Sequence, residues 1–197
     1  QLEFAEKVEH LLEEHQTSFI QAQTGLGKTY GYLLPALNSE SESEILVSVP
    51  TKILQNQIMQ EEGQRLKEVF HLEIHSLKGP QNYLKLDAFH RVLHRPESNR
   101  LFTRFKMQLL IWLTETETGD LDEIGQLYRY QHFLPELVHD GKLSKKSLFA
   151  TEDFWKRGQE KAETSRVLLT NHAYLVTRLE DNPEFVDNRL LILDEAQ

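Results

Sequence analysis

The stretch Ala22-Gln23-Thr24-Gly25-Leu26-Gly27-Lys28-Thr29 decides how the rest of the chain is read. A loop carrying glycine ahead of a helix turns several backbone N–H groups toward one point and adds the positive end of the helix. A chain of phosphates needs both. In such a loop the Lys28 ammonium reaches the β- and γ-phosphates, and the Thr29 hydroxyl reaches Mg2+. The eight residues fit the phosphate-binding loop pattern with one departure, Ala22 in place of the first glycine. The bland alternative is a Gly-containing turn beside an exposed lysine. The flanks argue against it: Ser18-Phe19-Ile20 reads as a short strand entering the loop, and Lys28 to about Leu37 reads as the helix leaving it.

Further out, the same alternation continues. Residues 2–14 place Phe4, Ala5, Val8, Leu11 and Leu12 on one helical face. Ile45-Leu46-Val47-Ser48-Val49 is an apolar, β-branched run closed by Pro50, and Thr51 can cap a helix running to about Phe70. His71 to Leu77 is a weaker strand. Val167-Leu168-Leu169-Thr170, a helix from about His172 to Leu179, and Leu190-Leu191-Ile192-Leu193 complete the pattern. Apolar strands alternating with helices predict a parallel sheet covered on both faces, an α/β fold. Between Gly79 and about Thr164 no strand is expected, and Phe102, Phe105, Leu109, Leu110 and Leu113 follow helical spacing. The expected organisation is therefore residues 1–78 as the first part of the sheet domain, 79–164 as a mainly helical insertion between strands, and 165–197 as the return to the sheet.

The last strand ends in Asp194-Glu195. In an open α/β sheet the carboxyl edge is where ligands bind, so Asp194 is placed to hold Mg2+ and Glu195 to activate a water. Alone, an apolar run followed by Asp-Glu is more often a strand entering a solvated turn. The phosphate loop upstream favours the functional reading.

Composition bounds the rest. Of 197 residues, 39% are hydrophobic and 27% charged, enough for a packed core. With 22 Lys and Arg against 31 Asp and Glu the net charge is −9, which excludes a uniformly basic coat for nucleic acid but not a local patch. There is no cysteine, and so no disulfide, thiolate zinc site or cysteine-ligated iron–sulfur cluster in this chain. No apolar run approaches the ~18 residues that span a bilayer. No signal peptide opens the chain, so no membrane association and a cytoplasmic location are expected. The chain opens without Met inside a helix and stops just after an apolar strand, which reads as a piece of a longer protein.

Five segments in order resemble superfamily 2 DNA helicases of the DinG/XPD type. Ala22 to Thr29 is similar to motif I, Pro50-Thr51-Lys52-Ile53-Leu54-Gln55-Asn56-Gln57 to motif Ia, and Asp194-Glu195-Ala196-Gln197 to motif II. Lys78-Gly79-Pro80-Gln81-Asn82-Tyr83-Leu84 and Leu169-Thr170-Asn171-His172-Ala173-Tyr174-Leu175 resemble the segments flanking that family's insertion. The resemblance covers the whole chain. It implies a RecA-like P-loop domain in which Gln1 reads adenine, as in the family's Q motif, and Thr24, Gly25, Leu26, Gly27, Lys28 and Thr29 bind ATP. It further implies Mg2+ on Thr29 and Asp194, Lys28, Asp194 and Glu195 as the catalytic set, and Thr51 on a DNA phosphate.

The activity so implied is ATP hydrolysis coupled to 5′→3′ movement on single-stranded or tailed duplex DNA, and a monomer is expected. Lys85 stands where the family often begins a four-cysteine cluster, which suggests a cluster-less member. Gln197 stands where motif II usually has His. The second RecA-like domain and its arginine finger lie beyond this segment, so the isolated chain is expected to be inactive in turnover. The alternative is the ATP-binding regulatory module of a helicase-like nuclease, with an exonuclease domain upstream of Gln1. A small-molecule kinase and a silent ATP-sensing scaffold are weaker alternatives.

From Lys78 to Lys106 seven basic residues face two acidic ones, with Tyr83, Phe89, Phe102 and Phe105 interleaved. A groove that tracks a nucleic-acid backbone has this composition, and Lys78, Lys85, Arg91 and Arg95 are its expected DNA contacts. The alternative is a solvated basic face over a core that holds the aromatics. His90 and His94 read as surface histidines, Glu115 to Glu123 as a solvated loop entering a cap, and Trp112 and Trp155 as core.

Overall fold

The computed structural model describes residues 1–14, 17–23, 25, 27–39, 43–142 and 146–196. In chain order the main elements are α1 (Leu2–Glu13), α2 (Lys28–Asn38), β1 (Glu44–Val49), α3 (Lys52–Ile58), α4 (Gln64–Phe70), β2 (Ile74–Ser76), α5 (Leu86–Leu93), α6 (Arg100–Trp112), α7 (Phe154–Thr164), β3 (Val167–Asn171), α8 (His172–Asp181) and β4 (Arg189–Leu193). A π-helical turn, Met59–Gly63, joins α3 to α4. The chain divides into two compact units, Gln1–Ser76 with Thr164–Gln197, and Leu77–Glu163.

The first unit is an α/β structure on a four-stranded parallel sheet of order β2-β3-β1-β4. β1 and β3 occupy the centre, in a register that pairs Ile45 with Val167 and Val49 with Asn171. Both strands are buried over nearly their whole length, which is why they read as continuous apolar runs rather than alternating ones. Their polar residues Ser48, Thr170 and Asn171 gather at the carboxyl ends. Thr51 caps α3, its Oγ1 accepting from Leu54 N at 3.1 Å. Asn171 caps α8 in the same way, through Tyr174 N at 3.0 Å. α1 lies close against α2: a Cβ added at Gly31 would meet the Phe4 ring at 2.4 Å, so only glycine permits this approach.

Two expectations are corrected here. Ser18-Phe19-Ile20 forms no strand; Ile20 packs on the core, Phe19 is 93% exposed, and neither edge strand pairs with this segment. β-branched and aromatic content cannot make a strand without a hydrogen-bonded neighbour. β4 is an edge strand, not a fully buried one: Leu190 and Ile192 pack on the core, while Leu191 and Leu193 are exposed.

The second unit is helical, with short 3₁₀ turns and no strand among its described residues; Tyr83–Asp120 and Leu84–Val138 form isolated antiparallel bridges. Its core is built on Leu84, Phe89, Phe102, Phe105, Leu109 and Leu137. Phe105 stacks on Tyr130 and Phe102 on Phe133, with ring centroids 4.2 and 4.3 Å apart. Lys78 is 1% exposed, and its ammonium is held by Asp120 and, at 3.0 Å, by Asp122.

Candidate functional site

The site of the first unit forms where α2 begins and β4 ends. Gly27, with φ of +75°, is the N-cap of α2. The left-handed turn brings Lys28 onto the first turn of the helix, and Gln1 Nε2 donates to the Gly27 carbonyl at 3.3 Å. An added Cβ at Gly27 would also meet Gln1 Nε2 at 2.6 Å. Gly27→Ala is therefore expected to cost about 1–2 kcal/mol, mostly from the left-handed backbone. Gly27→Asn, whose side chain tolerates that region, should cost less. Chemical denaturation of both variants checks the order; equal costs would locate the constraint in the space beside Gln1.

Lys28 meets the two carboxylates that end the sheet. Its ammonium pairs with Glu195 Oε1 and lies 3.9 Å from Asp194 Oδ1. The Glu195 carboxylate holds the Lys28 ammonium above its usual range against partial burial, and the Asp194 charge adds to this. Tyr32, one turn along α2, donates from its hydroxyl to Asp194 Oδ2 at 3.2 Å and also bonds the Thr29 side chain. Burial, then the Asp194 charge, pushes loss of the Tyr32 proton well above the ordinary phenol range, so Tyr32 remains a donor. Glu195 follows the strand with φ of +55°, a left-handed conformation uncommon for a side chain of this kind. The chain thus brings Lys28, Thr29, Asp194 and Glu195 to one place at the carboxyl edge of the sheet. Gly25 (φ +78°) lies in the loop ahead of them, while Thr24, Leu26 and Gln197 fall outside the described residues.

Sequence reasoning missed Tyr32. Its spacing of four from Lys28 on α2 was available as a signal, but its contact with Asp194 spans 162 residues.

The residues expected on DNA fare unequally. Thr51 is exposed at the N-cap of α3. In the second unit Lys78 is corrected: it is buried and clamped by two aspartates, so it has no surface to offer a phosphate. Lys85 pairs with Asp140, whose carboxyl it pulls down to about 2. Arg95 makes a two-pronged pair with Glu136 at 2.6 and 3.1 Å. Arg91 is exposed and, with Ala88, Val92, Arg95 and Glu136, lines a shallow cavity of about 250 Å³. The interleaved aromatics are core, since Tyr83, Phe89, Phe102 and Phe105 are all at most 3% exposed. The acidic run is likewise no plain solvated loop, because Asp120 and Asp122 hold Lys78 and Glu123 accepts from the Trp112 indole at 3.0 Å. His90 and His94 meet at the surface with their rings tilted by 54°, and no group of three metal-ligating side chains occurs among the described residues.

A parallel sheet whose carboxyl edge joins a Gly-bearing loop, a lysine at a helix start and a carboxylate pair defines the RecA-like P-loop class. The chain belongs to the DEAD/DEAH box helicase family, which it matches over residues 4–123. It is homologous to DinG-type proteins. It is 31% identical over 204 residues to a protein of Staphylococcus saprophyticus named 3′-5′ exonuclease DinG, all of this chain against 22% of that protein. It is 32% identical over 185 residues to a protein of the same name from Bacillus subtilis, 91% of this chain and 20% of that one. A Staphylococcus aureus protein, also so named, is 30% identical over 200 residues. The chain therefore spans about a fifth of the length of these relatives. Asp194 and Glu195 lie beyond the family match but within the Staphylococcus saprophyticus and Staphylococcus aureus alignments, which cover the whole chain. No helix among the described residues is long and apolar enough to cross a membrane.

Proposed function

We propose that this chain is the ATP-binding part of a cytoplasmic, DNA-dependent motor of the DinG type. In this reading ATP hydrolysis is coupled to movement along single-stranded or tailed duplex DNA, 5′→3′ by family resemblance. The observation that carries the reading is the convergence of Asp194 and Glu195 on Lys28 at the carboxyl edge of the sheet. Lys28 exchanges its carboxylate partners for phosphate oxygens, and the loop from Gly25 to Gly27 supplies backbone N–H groups. Gln1, already on the Gly27 carbonyl, would read the adenine base. Thr29 and Asp194 would hold Mg2+, and their common neighbour Tyr32 fits two oxygens that must share one ion. Bound Mg2+ would neutralise the phosphate charge. Glu195 takes the proton of the attacking water. Thr51 in the first unit, and Arg91 with the exchangeable cations Lys85 and Arg95 in the second, are the proposed DNA contacts.

The test is ATP turnover by the intact protein with and without single-stranded DNA. Turnover that rises with DNA is the expected result; turnover indifferent to DNA would reject the motor. A second reading, a nucleotide-dependent regulator of a nuclease, is favoured by the relatives' own names, which say 3′-5′ exonuclease. It predicts ATP-sensitive DNA degradation without unwinding.

The Tyr32 bridge yields its own expectation. Tyr32→Phe removes the hydrogen bonds to both Asp194 and Thr29, each worth about 0.5–1.5 kcal/mol, and should raise the Mg2+ concentration needed for nucleotide binding about 5-fold or more. A fluorescent-nucleotide titration against Mg2+ checks this. An unchanged midpoint would remove Tyr32 from the ion's surroundings.

A further inference from the structure

His172 opens α8 immediately after Asn171, where β3 ends. Its Nδ1 lies 2.8 Å from Ser48 Oγ, and its Nε2 lies 3.0 Å from the main-chain oxygen of Asp194. A carbonyl oxygen can only accept, so Nε2 carries the hydrogen. Ser48, 0% exposed on β1, then completes a ring: its own carbonyl accepts from Asp194 N at 2.9 Å. Three hydrogen bonds thus close through Ser48, His172 and Asp194 and fix the Asp194 backbone on both sides. The carbonyl that His172 holds belongs to the peptide joining Asp194 to Glu195. That peptide plane leads into the left-handed Glu195, a conformation that persists only where its surroundings over-determine it.

We propose that His172 is a positioning residue for Glu195, holding the Asp194–Glu195 peptide so that the Glu195 carboxylate meets the attacking water. The proposal rests on the ATPase reading above and adds a residue to it. His172 touches neither phosphate nor ion through this contact; it acts through the backbone of motif II. The same junction reaches further. Asn171 Nδ2 donates to Gln55 Oε1 at 3.2 Å, and buried Gln55 stands on α3, the helix that Thr51 caps. Motif II and the proposed DNA-contacting turn are therefore tied to one β3–α8 corner.

Nature offers two partial mimics of the imidazole. The Gln amide places a donor near Nε2, and the Asn amide places a polar group near Nδ1. In the intact protein His172→Ala and His172→Asn should lower kcat about 10- to 100-fold, with nucleotide affinity and KM within about 2-fold of wild type. His172→Gln should recover most of the loss. Nitrogen-15 spectra of labelled histidine, assigned by difference against His172→Gln, should show a bare Nδ1 and a protonated Nε2. If His172→Ala loses its melting transition, the comparison of Gln with Asn decides. Equal kcat in those two variants, or a parallel fall in affinity and turnover, would overturn the proposal. A wild type that turns over ATP beside an unimpaired His172→Ala overturns it alone; a wild type without turnover takes the ATPase reading down as well.

Discussion

Lys28→Ala should abolish measurable ATP turnover by the intact protein, a fall of about 10²–10³-fold or more, while leaving the fold intact. Lys28 is the cation toward which both motif II carboxylates turn, with Glu195 in direct contact and Asp194 at 3.9 Å. Removing it takes away charge aimed at the phosphates and leaves two carboxylates facing one another. Their uncompensated negative charge repels an incoming triphosphate, so affinity should fall together with kcat. The folding cost is small by comparison, because the Lys28 side chain is 21% exposed and solvent screens the pair. Turnover, nucleotide binding and thermal melting separate these effects. A Lys28→Ala protein that binds and hydrolyses ATP normally would place the nucleotide elsewhere and remove the main support for the motor reading.

What the sequence disclosed and what it hid divide along the range of the interaction. Ile45 to Val49 and Val167 to Thr170 announce themselves because a central strand covered on both faces must be apolar at every position. The cap at Thr51 is local, acting on a backbone N–H three residues on, and was legible; the equally local cap at Asn171 was not read from the sequence. The pairing of Lys28 with Glu195 spans 167 residues, and only the chemical meaning of two separate motifs connects them in the sequence. Where no motif spoke, long-range pairing stayed invisible. Lys78 looked like one more cation in a basic run, and nothing local marked Asp120 and Asp122 as its partners. Phe102 and Phe105 carried the right spacing for a helix but no sign of which face would be covered; both turned inward. Ser18 to Ile20 failed in the opposite sense: local propensity was present and the neighbouring strand was not.

Lys78→Ala should destabilise the second unit by about 3–5 kcal/mol, the cost of breaking a buried ion pair from one side. The lysine is 1% exposed and its partners Asp120 and Asp122 have side-chain exposures of 15% and 27%, so water replaces the ammonium only in part. Burial already pushes the Asp120 carboxyl up, with Lys78 pulling the other way. A carboxyl raised in the folded state makes the fold the better proton binder, so its contribution favours folding at low pH and is lost as pH rises through the folded value. Without Lys78 that shift grows, and the deficit of the variant should be largest near neutrality and shrink under mild acid. The pairing also predicts a partial rescue. Lys78→Met combined with Asp120→Asn removes one charge from each side and should recover about 1–2 kcal/mol relative to Lys78→Met alone. Chemical denaturation at neutral and acidic pH reads all three variants. A loss below about 1 kcal/mol that ignores pH would mean that Lys78 is solvated and available, which would return it to the set of cations that can meet a phosphate.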